Sequence, residues 1–368
     1  MKKLRIALVA AAVAASSLPG QEDSRFAEIR ARIARHEKIT EDERDYAESI
    51  VERRNQENSA RQHAQGYAKQ HPPRESTGLV PLTELGKGKY EGHEGGLYPG
   101  GSNTPPAAHL QAGLRIAGSI TPLDREGRKS VQGRIAMCSI GMSNTTQETR
   151  SFLKLAAADK ELNPRLTLVD CAQGAQSAEK IVDPGLPYWK LVNQRLENAG
   201  VTPAQVQVIW LKEANGNPKQ SFEEYARTLQ EQQVKILHNL RAKFPNLKIA
   251  YVSSRVYGGW AGSPLNPEPY AYAGGFATKW LIADQIAGRA ELNYDPAKGE
   301  ARAPWIAWGP YLWADGLKAR QDGAVWKRED LGPDGTHPSL AGREKVARML
   351  MDFLKHDPTS RPWFVRSH

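Results

Sequence analysis

Four places in the chain carry residue types whose order and spacing can do chemistry: Ser143, Gly174, Asn215, and the pair Asp334 and His337. Ser143 follows an apolar run, Ile135 to Ile140, and a turn-permitting Gly141, while Asn144, Thr145 and Thr146 are good starting residues for a helix. A serine between the end of a central strand and the start of a helix has its hydroxyl lifted clear of the sheet. The helix start then offers backbone N–H groups to an oxyanion. In Asp334-Gly-Thr-His337 a carboxylate precedes an imidazole by three residues on one loop, so the carboxylate can orient the ring as a general base. Each part alone has a plainer reading, since Gly174 and Asn215-Gly-Asn-Pro218 are turns and Asp-Gly-Thr-His caps a helix. Ser139 lies inside the apolar run and lacks the turn. Glu213 and Asp334 would make a glycosidase pair, but that leaves the serine and histidine idle.

These residues need a scaffold, and the sequence from Arg134 onward supplies one. Apolar runs at 134–140, 165–171, 206–212, 248–254 and 304–309 read as strands, the first four buried on both faces. Helical patterns fill 146–158, 187–199, 221–243 and 340–355. Strand–helix alternation of this kind predicts an α/β, flavodoxin-like, doubly wound and mostly parallel five-stranded sheet, with its site at the carboxyl ends of the strands. All four chemical positions fall there.

The order resembles the SGNH (GDSL-type) hydrolase family, in which a serine after a glycine, a glycine, an asparagine and a late Asp-x-x-His recur. Here the matches are Ser143, Gly174, Asn215, and Asp334 with His337, and Asp334-Gly-Thr-His-Pro-Ser339 is the most specific piece. The resemblance covers about residues 130–355. It implies a bacterial exported serine esterase with Ser143, Asp334 and His337 catalytic and no metal or organic cofactor. It also implies an oxyanion hole from Ser143, Gly174 and Asn215. Two positions depart from the family pattern: Met142 stands where an Asp is expected, and Glu213 where a Gly is expected.

The remaining chain is expected to divide into a signal peptide (1–20), a charged helical extension (21–70), a Gly/Pro-rich belt or linker (71–129) and the hydrolase domain (130–358). Lys2, Lys3 and Arg5 before the apolar Ile6–Ala15 make the signal pattern, which implies export to the periplasm or beyond. That apolar run is too short to span a bilayer stably. The net charge is +9, nearer +6 without those three cations, and the basic residues form no nucleic-acid motif. Within 21–70, two helices break near Lys38–Glu41, with Thr40 capping the second. Leu114 to Ile120 reads as an additional strand. Cys138 and Cys171 are either paired or two small buried thiols.

An insertion at 257–303, with a helical piece near 277–288, should shape the substrate pocket. Seven of the nine tryptophans lie between Trp210 and Trp326, so Trp260, Trp308 and Tyr257 are candidate stacking platforms for sugar rings, or else the insertion's own core. Arg255 either binds a substrate carboxylate or forms a surface ion pair. The expected partner is a small-molecule ester or an acetylated polysaccharide. A lipase-like or general carboxylesterase is the alternative within the class, and a non-catalytic carbohydrate- or envelope-binding module the alternative outside it. The oligomeric state is not encoded in any pattern seen here.

Overall fold

The computed structural model describes residues 24–35, 37, 39–40, 43, 46–47, 50, 67 and 69–366. The expected signal segment, 1–20, lies outside the described residues. The chain divides into two compact units, Met1–Lys69 and Gln70–His368.

In the first unit, helix α1 (Ser24–Ala34) buries Phe26 and Ile29 together with Ala47 and Ile50 of the following helical segment. Thr40 starts that segment as the spacing predicts. Its N–H donates to Glu43 Oε2 at 2.7 Å, and Glu43 N–H donates back to Thr40 Oγ1 at 3.2 Å. This reciprocal cap satisfies two otherwise unpaired donors.

The second unit begins with the belt, which packs onto the sheet domain rather than hanging free. Asp315 holds one end, accepting from Thr77 N at 2.7 Å, Thr77 Oγ1 at 2.6 Å and Gly78 N at 2.9 Å. Helix α2 (Leu82–Leu85) follows, then a two-residue hairpin of β1 (Lys89–Tyr90) and β2 (His93–Glu94). Tyr90 meets Phe222 and Tyr272 edge-on. The extra strand expected at Leu114–Ile120 is instead part of helix α3 (Ala107–Gly118). The buried positions His109, Ala112, Gly113 and Ala117 follow a helical spacing, and the bare Gly113 lets the Trp305 ring lie against the helix.

Then come β3 (Ile135–Gly141), α4 (Ser143–Ala158), β4 (Leu166–Asp170), a short α5 (Ala178–Ile181), α6 (Tyr188–Asn198), β5 (Val206–Lys212), α7 (Phe222–Lys243), β6 (Ile249–Val252), α8 (Tyr270–Ile286), β7 (Trp305–Trp308), α9 (Leu340–His356) and α10 (Arg361–Phe364). The sheet order is β4-β3-β5-β6-β7, every pair parallel. It is flanked by helices in the doubly wound manner, with α4 packed on α9 and α7 on α8. The strand order changes direction at β3, so a crevice opens at the carboxyl ends of β3 and its neighbours. Helix α8 starts well before the expected 277, because it is buried on nearly every side and Gly275 leaves room for Leu82. Both cysteines are free and buried. The adjacent Cys171 and burial together push the Cys138 thiol well up.

Candidate active site

The end of β3 is built around Gly141. A Cβ there would sit 2.4 Å from Thr145 Oγ1 and 2.5 Å from Lys212 O, so only glycine lets the chain turn this tightly into α4. Met142 occupies the N-cap position with no side-chain cap, and Ser143 opens the helix. Ser143 Oγ lies 2.7 Å from His337 Nε2. On the other side of the ring, His337 Nδ1 lies 2.6 Å from Asp334 Oδ2. The second carboxylate oxygen accepts from Thr336 N–H and His337 N–H, each at 3.0 Å. Burial alone would push the Asp334 carboxyl up. The His337 ring and those two N–H groups outweigh it and hold the carboxyl at about 2.

The loop bearing this pair is fixed by its own glycine. Gly335 has φ +65°, and a Cβ there would lie 1.8 Å from Trp260 O. Gly262 N–H donates to Asp334 O at 2.8 Å, so the start of the insertion is tied to the same loop.

Gly174 lies against the serine: a Cβ on it would stand 3.7 Å from Ser143 Cβ. Neither the Ser143 nor the Gly174 N–H has a backbone acceptor among the described residues. Asn215 lies on the loop after β5, which is stitched to the loop after β4. Ala178 N–H donates to Ala214 O at 3.1 Å and Glu179 N–H to Asn215 Oδ1 at 3.1 Å. Asn215 Nδ2 gives one hydrogen to Gln232 Oε1 at 2.7 Å, which orients the amide and leaves the second hydrogen.

Beneath the turn lies an ion pair that the sequence reading missed. Lys212 closes β5, and its Nζ donates to both Glu148 oxygens, at 2.8 and 2.6 Å, with both side chains fully buried. Burial pushes the Lys212 amine down to about 8 even so. A lysine ending an apolar strand was the available signal. Glu213, the departure from the family pattern, is buried with neither oxygen partnered, and burial pushes its carboxyl well above the usual range.

The stacking-platform reading of Tyr257, Trp260 and Trp308 is corrected here. A sugar ring needs an open aromatic face to stack on, and these rings, 1%, 7% and 3% exposed, offer none. Each spends its polar edge inside the fold: Tyr257 Oη on Arg74 O at 2.7 Å, Trp260 Nε1 on Trp326 O at 2.8 Å, and Trp308 Nε1 on Leu97 O at 2.7 Å. Tyr257 and Trp260 belong to the insertion's core, edge-on to each other and with Tyr257 also edge-on to Trp313, while Trp308 ends β7 edge-on to Tyr311. Arg255 is also buried, and the ion pair read as its alternative does not form among the described residues. Among the described residues no His, Cys, Asp and Glu cluster has the makings of a metal site. No helix among them is long and apolar enough to cross a membrane.

No protein family and no curated protein sequence matches the chain. Among solved structures it is similar to salicylyl-acyltransferase SsfX3 from a tetracycline biosynthetic pathway, at 17% identity and a TM-score of 0.35, over 63% of this chain and 58% of that one. It is similar to LAE5, an α/β hydrolase enzyme from the metagenome of Lake Arreo, Spain, at 15% identity and a TM-score of 0.34, over 62% and 95%. A third is the periplasmic domain of a lipopolysaccharide acetyltransferase from Salmonella ser. Paratyphi A, at 11% identity and a TM-score of 0.32, over 67% and 95%. The chain thus spans under three-fifths of the length of the first of these.

Proposed function

We propose that the protein is an exported serine ester hydrolase of SGNH type that removes O-acetyl groups from carbohydrate. The observation that carries this reading is the continuous chain Ser143 Oγ, His337 and Asp334, with contacts of 2.7 and 2.6 Å. In this reading Ser143 Oγ attacks the ester carbonyl and its proton passes to His337 Nε2. Asp334 keeps Nδ1 protonated and stabilises the imidazolium. The oxyanion of the tetrahedral intermediate points at the unused N–H groups of Ser143 and Gly174 and the second amide hydrogen of Asn215. His337 returns the proton to the leaving alcohol. Water, activated by the same ring, then releases the acid from the acyl-serine.

Acetyl as the acyl group and sugar as the alcohol come from the family resemblance, since the aromatic platforms that would have supported sugar stacking are buried. The test is acetate release from acetylated xylan, acetylated pectin and small aryl acetates, comparing wild type with His337→Ala. Release that disappears in the variant supports the reading, and the preferred polymer names the substrate class. A folded wild type that releases nothing from any of them overturns the acetylesterase assignment and moves attention to longer acyl esters.

A further inference from the structure

Arg255 follows β6 at the carboxyl edge of the sheet and is 5% exposed. Its Nε is buried without a partner, and the guanidinium makes no ion pair or hydrogen bond among the described residues. The other deeply buried cations differ. Lys212 has Glu148, Arg320 has Asp322 and the carbonyls of Tyr311 and Trp313, and Lys279 has the carbonyls of Glu94 and Gly95. A charge taken from water without compensation costs several kcal/mol, so a fold that keeps one there gains by having its counter-charge arrive with a ligand.

Val252 of β6 pairs with Leu211 of β5, so Arg255 follows at the same carboxyl edge as Asn215, and four groups act on its charge. They are Glu148 beneath the Ser143 turn, Tyr225 behind Asn215, Asp334 of the histidine loop, and Glu268. None of these is free to pair with it. Glu148 is taken by Lys212, and Asp334 by His337 and two N–H groups. Glu268 accepts from Gly258 N–H, Tyr272 N–H and Trp313 Nε1, and Tyr225 Oη accepts from Asn266 Nδ2. At the same carboxyl edge, Ser254 Oγ and both oxygens of Glu213 are also buried and unpartnered, as is Oδ1 of Asn266, whose amide donates to Asn215 O and Tyr225 Oη. Asn144 Nδ2 and Thr336 Oγ1 beside the triad are unpartnered too, but among the described residues Arg255 is the one cation with a buried, unpartnered side-chain nitrogen.

We infer that Arg255 is the specificity residue of the Ser143 site, receiving an oxyanion carried by the esterified molecule itself. This rests on the esterase reading and narrows it: the substrate is an ester whose sugar or acyl part bears a carboxylate, sulfate or phosphate group. The planar guanidinium fork matches all three, and their source is what distinguishes them.

The test separates binding from turnover. Ser143→Ala protein is titrated calorimetrically with glucuronate, galacturonate, glucose 6-sulfate, glucose 6-phosphate and, as the neutral control, glucose. At least one anion binds and glucose does not. Adding Arg255→Gln weakens that binding about tenfold to a hundredfold, and Arg255→Lys falls between. A uronate preference assigns a carboxylate, and a sulfate or phosphate preference assigns those esters. In parallel, kcat/KM is compared for acetylated methyl glucuronoside and acetylated methyl glucoside, where Arg255→Gln should collapse the preference for the charged ester. If both esters are cleaved equally and no anion binds better than glucose, the inference falls while the esterase stands. Arg255-dependent anion binding with no ester cleaved sinks the esterase reading and leaves the anion site. Should Arg255 be bridged to Glu213 by solvent for structural reasons only, Arg255→Gln would lower the melting temperature and leave the anion-to-neutral ratio unchanged, which overturns the inference.

Discussion

Two halves of the same crevice are built by opposite rules. On one side, the side chains of Ser143, His337 and Asp334 form a closed hydrogen-bonded chain, down to the two backbone N–H groups that seat Asp334. On the other side, Arg255, Glu213, Ser254 and Asn266 are buried with polar atoms unmatched. Partnered groups hold a geometry that chemistry needs before substrate arrives. Unmatched groups weaken the fold and make sense where a ligand completes them. The difference separates positioning from recognition within one site.

Breaking the partnered side should give the largest effects. Ser143→Ala is expected to lower kcat/KM on any ester the wild type cleaves by about 10⁴-fold or more, read by initial rates. Asp334→Asn, which leaves the ring without its anionic partner, should cost about 10²–10⁴-fold. Asn215→Ala should cost about 10²–10³-fold in kcat, with KM changed much less, because the oxyanion exists only after attack. A loss confined to KM would remove Asn215 from the oxyanion hole.

Stability sharpens the contrast, because the two buried cations should respond with opposite sign. Lys212→Met strands the Glu148 carboxylate and should destabilise by about 3–5 kcal/mol in chemical denaturation. Arg255→Met removes a cation that has no partner and should stabilise by about 0.5–2 kcal/mol. Equal losses from both would mean that Arg255 is as well compensated as Lys212, and the comparison would fail.

The smallest effect concerns acid. Asp334 titrates at about 2 in the fold, below an unfolded carboxyl near 3.9, so its contribution is present above about pH 4 and drains away as the pH falls towards 2. Asp334→Asn lacks that part. The stability difference between wild type and variant should therefore shrink across this window in acid titrations followed by circular dichroism. A difference that stayed constant would show that the carboxyl is not held low.

The sheet and the catalytic spacing were legible because both are local patterns. Five apolar runs closed by turns match the strands to within two residues, and Gly141 before Ser143 marked a sharp exit with a helix start behind it. Asp334 and His337 share one loop, so their spacing alone brought them together. What failed to show depended on neighbours far away in sequence. Leu114 to Ile120 reads as a strand, but Trp305 packing on Gly113 favours a helix. The types of Tyr257, Trp260 and Trp308 say nothing of which way the rings face, and the belt residues Arg74 and Leu97 claim two of their polar edges. Arg255 was legible as a candidate, but its lack of a partner is a property of the packed site alone.

The most direct test of the central claim is labelling of the folded wild type by a fluorophosphonate, followed by mass-spectrometric mapping of the modified peptide. The account predicts one adduct, on Ser143, that is absent in Ser143→Ala and greatly slowed in His337→Ala. No adduct on folded protein, or an adduct on another serine, would contradict a nucleophile activated by His337 and would favour a binding module on the same fold.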